Sequence, residues 1–319
     1  MTTAVLVDRL NFSYPPARRK EKPRQVLNDL SMKVESGEIF GVLGPNGGGK
    51  TTMFRILSTS LPAPERGKAR VFDIDVAGDP AGVRRRIGVV FQNPSLDGKL
   101  TLLENLRTQA ALYGVGAADA KPIIEDAMTR LGILDRADDF VEKLSGGLQR
   151  RGEIAKSLLH KPDLLLMDEP STGLDPGARR DLWETLRALK SRGMTILLTT
   201  HLMEEGERCD RVAIVTAGRV VAAGTPSVLK SRIGGDVVWI TANDPPSLAA
   251  QIKTKFSVTP TVLDNSLRIE IKDGHKFIPL VVEAFPGAIE AIAVGKPTLE
   301  DVFVRETGRR YTSEAEVTP

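Results

Sequence analysis

The sequence predicts an α/β fold with a largely parallel sheet, followed by a second, smaller α+β domain. Between Glu38 and Gly224 short apolar runs alternate with helical segments, the pattern of a parallel sheet covered by helices. A glycine-rich turn separates the first of those runs from a helical segment. After about Ser231 the texture changes to short strands interleaved with two helices.

In chain order, the first forty residues mix β-type stretches with a basic, Pro-containing insert, Pro15 to Pro23, expected as a solvated hairpin tip or loop. Ile39 to Leu43, Leu164 to Met167, Ile196 to Thr199 and Val212 to Val215 read as buried strands. Residues from about Thr101 to Lys143 are helix-prone, a helical insertion within a subdomain of about 93–150. Ala178 to Arg192 places Leu182, Leu186 and Leu189 on one face and stops at Gly193, so it reads as a helix with a glycine terminator. Later, Asp236 to Thr241, about Val258 to Leu263, Leu267 to Ile271 and Ala288 to Val294 read as strands. Ser247 to Phe256 and Ile278 to Ala284 read as helices, with Pro279 expected in a first turn. That order, βαββαβ, predicts a ferredoxin-like sandwich, then a helix capped by Thr298. The expected division is 1–230 for the first domain and 231–319 for a small accessory domain and tail.

Composition narrows the function classes. Lys and Arg total 44 against 41 for Asp and Glu, so the formal net charge of +3 gives no sign of a nucleic-acid partner. Cys209 is the single cysteine, which fits a reducing compartment and a buried filler. Met1 to Leu10 lacks the layout of a secretion signal, and Phe277 to Gly295 is interrupted by Pro279, Glu283, Pro286 and Glu290. A membrane span would therefore come from another chain.

Gly44-Pro45-Asn46-Gly47-Gly48-Gly49-Lys50-Thr51 matches G-x-x-x-x-G-K-[ST] and is followed by Thr52. Glycines let the backbone wrap phosphate oxygens while N–H groups point inward at a helix start. Lys50 would supply charge to the β- and γ-phosphates and Thr51 a hydroxyl to Mg²⁺, which makes the segment a P-loop NTPase cradle. A cradle alone leaves a kinase, a GTPase and an ATPase motor open. Leu164 to Met167 ends in Asp168 and Glu169, where Asp168 would hold Mg²⁺ and Glu169 would polarise an attacking water as general base.

Leu144-Ser145-Gly146-Gly147-Leu148-Gln149 narrows the class. A hydroxyl residue and two glycines at a helix start make a second anion site, and the segment resembles the signature of ABC ATPases in its LSGGMQ-like form. Tyr14 resembles the aromatic that stacks on adenine, Gln92 in Phe91-Gln92-Asn93-Pro94 the Q-loop, Leu174-Asp175 the D-loop and His201 the switch histidine. The resemblance covers about Val5 to Thr225 and implies two cassettes meeting head to tail, each ATP between one cradle and the partner's Ser145 loop. It further implies that His201 holds the γ-phosphate and that Gln92 senses Mg²⁺ and passes motion to a partner. Pro297-Thr298-Leu299-Glu300-Asp301-Val302-Phe303 resembles the C-terminal stretch of ABC-2-type exporter ATPases, including the daunorubicin/doxorubicin-resistance type. The expected protein is an ATPase working with a second cassette, a homodimer, and a separate transmembrane permease. It would sit in the cytoplasm on the inner face of the membrane. Ribosome- or DNA-acting ABC proteins usually carry two cassettes or a long coiled coil, and this chain has neither. A P-loop kinase leaves the signature, Gln92 and His201 unexplained.

Overall fold

The computed structural model describes residues 2–16, 22–64 and 68–311, so most of the Pro15–Pro23 insert and the last residues of the tail lie outside the described residues. Three sheets organise the described residues. The first pairs β1 (Thr3–Tyr14) with β2 (Arg24–Glu35) and continues through β4 (Ala69–Val71) to β5 (Ile74–Asp75), all antiparallel. The second is six-stranded, in the order β10-β9-β3-β8-β7-β6. It contains β3 (Ile39–Leu43), β6 (Ile87–Val90), β7 (Leu164–Asp168), β8 (Thr195–Thr200), β9 (Arg211–Thr216) and β10 (Arg219–Gly224). All its neighbours are parallel except β10, which runs back along β9.

Both faces of its central parallel strands are buried, which is why they read as continuous apolar runs. Phe40 and Val42 pack towards the N-terminal sheet and α1 (Lys50–Leu57), whereas Ile39 and Leu43 pack into the helical side. After α2 (Pro80–Arg86), the helical side holds α3 (Leu102–Leu112), α4 (Ala117–Arg130), α5 (Gly146–Leu158) and α6 (Pro176–Ser191). The expected helical insertion is present: Thr101 and Glu104 form a reciprocal capping box that starts α3. Among the described residues no helix is long and apolar enough to cross a membrane. Cys209 is buried, its thiol pushed up by burial, as a structural filler would be.

The short helices α7 (Met203–Gly206) and α8 (Pro226–Ser231) lead to the third sheet. Here β11 (Asp236–Ala242), α9 (Pro245–Phe256), β12 (Thr261–Leu263), β13 (Ser266–Ile271), α10 (Gly274–Ala284) and β14 (Ile289–Gly295) follow in turn. The sheet order is β12-β13-β11-β14, all antiparallel, which is the ferredoxin-like sandwich expected from the sequence. Two details differ. The strand expected from Val258 starts only at Thr261, and α10 begins before Ile278, so Pro279 lies inside the helix and not in its first turn. The early start has a local cause: the Asp236 carboxylate accepts the Gly274 N–H at 2.9 Å, and a side chain at 274 would strike Val294 and Asp236.

The last helix among the described residues, α11 (Leu299–Thr307), is started by a capping box between Thr298 and Asp301. By chain order it follows the sandwich. Its apolar face instead joins Leu299, Val302 and Phe303 to the same core as Leu43, Met203 and Leu229, while Val237 closes that core from the sandwich. Burying three such side chains is worth about 1.5–3 kcal/mol each, enough to fix the helix between the two units.

Candidate functional site

Every strand of the parallel sheet that contributes to the site does so at its carboxyl end, the edge where ligands bind. Gly44 follows β3, where the backbone comes so close to β9 that a Cβ would lie 2.0 Å from the Val215 carbonyl oxygen. Gly49 has φ 105° and stands before α1 with no side-chain cap, so the helix N-terminus faces the loop with backbone alone. The Lys50 ammonium lies within this loop, donating to the carbonyls of Gly44 (2.8 Å) and Pro45 (3.1 Å). Burial pulls its pKa down, opposed by the neighbouring Glu169 and Asp168 carboxylates. A cavity of about 170 Å³ is lined by Tyr14, Arg24, Val26, Asn46, Gly47, Gly48, Gly49, Lys50, Thr51, Thr52 and Glu169. The Tyr14 hydroxyl is 3.3 Å from that of Thr52, which places the predicted aromatic at the rim of the cradle.

The two carboxylates after β7 are buried, at 4% exposure for Asp168 and 7% for Glu169. Asp168 is 3.5 Å from the Thr51 hydroxyl and accepts from Thr199; burial raises its pKa, while the Thr199 bond opposes the rise. Glu169 has φ 45°, a left-handed conformation that a non-glycine residue adopts only when its surroundings impose it. Those surroundings are β8: the Glu169 N–H donates to the Thr199 carbonyl at 3.1 Å and to its hydroxyl at 3.0 Å. Around the Glu169 carboxylate stand His201 Nδ1 at 3.0 Å, Gln92 Nε2 and Thr172 Oγ1 at 3.3 Å, and Lys50 Nζ at 3.6 Å. Lys50, Gln92 and His201, drawn from three strand ends, thus converge on one oxygen pair.

The other predicted residues stand apart. Ser145 caps α5, accepting the Leu148 N–H at 3.4 Å, and is exposed together with Gly146. Asp175 caps α6, accepting from Gly177 and Ala178 at 2.8 and 3.0 Å, and these N–H groups hold its carboxyl below the usual range. The two caps adjoin, since a Cβ on Gly147 would lie 3.0 Å from Ala178. Neither cap lines the phosphate cavity.

Several contributors were not read from the sequence. Arg150, on α5, donates to the carbonyls of Phe91 (2.8 Å) and Gln92 (3.3 Å), and Glu153, one turn on, accepts from the Ser95 hydroxyl at 2.6 Å and the Leu96 N–H at 2.9 Å. Their sign in the sequence is a pair of charges directly after the Ser145 loop, and that their helix face is buried shows in the fold alone. Thr199 and Tyr311 gave no such local signal.

A parallel sheet carrying this glycine loop, with two buried carboxylates at the end of β7, defines a P-loop nucleoside triphosphatase. The family model described as ABC transporter matches residues 27–172, and one described as AAA domain, putative AbiEii toxin, Type IV TA system matches residues 154–205. The chain is 36% identical over 313 residues to the daunorubicin resistance ATP-binding protein DrrA3 of Streptomyces coeruleorubidus, covering 96% of each chain. It is 40% identical over 307 residues to the Nod factor export ATP-binding protein I of Paraburkholderia xenovorans, covering 93% of this chain and 97% of that one. Among solved structures, an ATP binding subunit of an ABC transporter superposes with a TM-score of 0.61 at 30% identity, covering 73% of this chain and 94% of the other. The cbiO1 protein of Clostridium perfringens shares the fold, with a TM-score of 0.65 at 23% identity over 81% of this chain and 97% of its own. The chain belongs to the ABC transporter family as an exporter-type ATP-binding subunit, an ATPase.

Proposed function

We propose that this subunit hydrolyses ATP with Glu169 as general base, at a site completed by the Ser145 loop of a second copy, and so drives a separate membrane permease. The observation that carries this reading is the Glu169 carboxylate, held in a left-handed backbone and contacted by Lys50, Gln92 and His201. In this assignment the 44–52 backbone and Lys50 cradle the phosphates and Tyr14 stacks on the adenine. Glu169 takes a proton from the attacking water, and His201 holds the γ-phosphate. Ser145, Gly146 and Asp175, exposed, with half-buried Gly147 between them at two adjoining helix starts, face the ATP of the partner cassette in a homodimer.

Mg²⁺ fits the oxygens present. Thr51, Asp168 and the Gln92 amide oxygen are hard donors, and Mg²⁺ with a nucleotide needs only one or two protein ligands. Among the described residues no group of three His, Cys, Asp or Glu could form an all-protein cage, which such a site does not require. When bound there, the ion would neutralise charge on the β- and γ-phosphates.

The permease would dock beside Gln92. A cleft of about 360 Å³ opens between β6, α3 and α5, lined by Phe91, Gln109, Tyr113 and Lys156 among others. Phe91 and Tyr113 are 39% and 43% exposed there, an apolar floor suited to a short helix. Such docking puts the subunit in the cytoplasm, peripheral on the inner face of the membrane, exporting a cargo chosen by the permease. Residues 1–230 would form the cassette and 231–319 the accessory domain and tail, with α11 returning to the cassette. Glu169→Gln tests the central assignment: ATP binding should persist while turnover falls by about 10²–10⁴-fold. Turnover within about threefold of the unaltered protein would remove Glu169 from the role of base.

A further inference from the structure

The chain returns to the nucleotide site at its C-terminal end. Beyond α11 it passes Gly308, at φ 66°, and reaches Tyr311. The Tyr311 hydroxyl contacts the Gly44 carbonyl at 3.3 Å and also the carbonyl of His201. Its ring packs edge-on against Phe303 at 5.1 Å. One contact is to the first residue of the phosphate loop; the other is to the histidine that touches Glu169.

The support behind Tyr311 is rigid on both sides. Towards the cassette, Leu299 packs on α7, the short helix that follows His201, so closely that a Cβ on Gly206 would lie 2.7 Å from a Leu299 methyl. Towards the sandwich, Arg268 of β13, 3% exposed, donates to the Asp301 carboxylate at 3.2 Å and to its carbonyl at 3.3 Å. The same Asp301 closes the capping box that starts α11. A continuous set of packed groups therefore runs from the sandwich through α11 to the backbone of His201.

The chemistry suits a pin. A phenol carries one proton, so between two carbonyls it donates to one or shares itself between both. Burial, with the nearby charges of Glu169 and Glu300, pushes the phenol up from its ordinary value, and it remains a donor throughout the working range.

We propose that Tyr311 is a positioning residue for hydrolysis: its hydroxyl pins the His201 backbone beside Gly44, and the docking of α11 sets that pin. The proposal rests on the reading of His201 as the residue that holds the γ-phosphate. It makes the accessory domain a determinant of rate and not of nucleotide affinity, since the Tyr311 hydroxyl reaches backbone carbonyls and no group lining the cavity by its side chain.

The test uses the full chain with Mg-ATP and separates kcat from KM. Tyr311→Phe keeps the ring on Phe303 and removes the hydroxyl. It should lower kcat about three- to tenfold, the equivalent of one net hydrogen bond, with KM for ATP within about twofold. In a His201→Ala background the same substitution should cost less than about 1.5-fold, because no imidazole remains to be placed. Unchanged kcat in Tyr311→Phe overturns the proposal. So does an equal loss in both backgrounds, or a raised KM at constant kcat, which would place the effect on the phosphate loop. If His201→Ala alone leaves kcat intact, the reading of His201 has failed; if His201→Ala lowers kcat to a measurable residue and Tyr311→Phe is silent, only the pin has failed.

Discussion

Two glycine-bearing motifs in this chain each open a helix, Gly44–Gly49 before α1 and Leu144–Gly147 at the start of α5, yet their surroundings differ. The first is roofed by side chains from three strand ends: Lys50, Asp168 and Glu169 are each less than 8% exposed, and His201 closes on them. The second offers a serine cap and two glycines, with Ser145 and Gly146 exposed and an equally exposed Asp175 cap beside them. A helix N-terminus attracts anions in either setting, but only the first adds a buried ammonium and buried carboxylates. The contrast teaches that one loop is chemically complete within the chain, whereas the other has the form of half a site.

The largest effect on nucleotide affinity is expected at the complete loop. Lys50→Ala removes a buried ammonium from the phosphate cradle, and a charge-assisted hydrogen bond contributes about 1.5–3 kcal/mol. ATP affinity of the isolated subunit should therefore fall about 10- to 150-fold, read by equilibrium titration. A loss below about threefold would mean that the backbone alone carries the phosphates, and the contrast between the loops would shrink to one of burial.

Much of this contrast was legible in the sequence because both loops are contiguous motifs whose residue types state their chemistry. The parallel strands were legible for a related reason, since burial on both faces makes runs such as Leu164–Met167 apolar throughout. What escaped were groups whose roles depend on distant pairing. Thr199 reads as one more strand residue until β7 and β8 lie side by side and its hydroxyl meets both Asp168 and the Glu169 N–H. Tyr311 meets a loop 267 residues away, and no local period encodes that. Arg150 was hidden differently, since a charge three residues from its partner on a helix usually marks a solvated face, and here the face is buried. The start of α10 was displaced by a single bond from Asp236, which outweighed the helix-start preference of Pro279.

Arg150 also joins the two loops mechanically. It leaves the helix that the signature loop starts and holds the backbone of Phe91 and Gln92, beside the completed site. Arg150→Leu keeps the apolar stem's contacts but removes the guanidinium and leaves two carbonyls without their donor, at a cost of about 1–3 kcal/mol. The expected result is a lower midpoint in chemical denaturation and slower turnover, with ATP affinity of the isolated subunit within about threefold. If turnover is untouched, α5 supports the fold without linking the loops.

The smallest expected effect on affinity is the most discriminating, because it asks whether the open loop belongs to the same nucleotide as the closed one. Ser145→Arg places a long cation at an exposed helix start outside the phosphate cavity. At protein concentrations where the subunit is monomeric, ATP affinity should stay within about twofold of the unaltered chain, since no group lining the cradle is changed. At higher concentrations the same substitution should abolish ATP-driven dimerisation and turnover, because the guanidinium would fill the space of the partner's γ-phosphate. Mixing Ser145→Arg with Lys50→Ala chains gives one dimer interface with an intact cradle facing an intact signature. Recovered hydrolysis in the mixture would then come from a single composite site. The affinity of the monomer decides between the two arrangements: if Ser145→Arg weakens ATP binding as much as Lys50→Ala does, both loops serve one nucleotide within one chain, and the head-to-tail dimer is wrong for this protein.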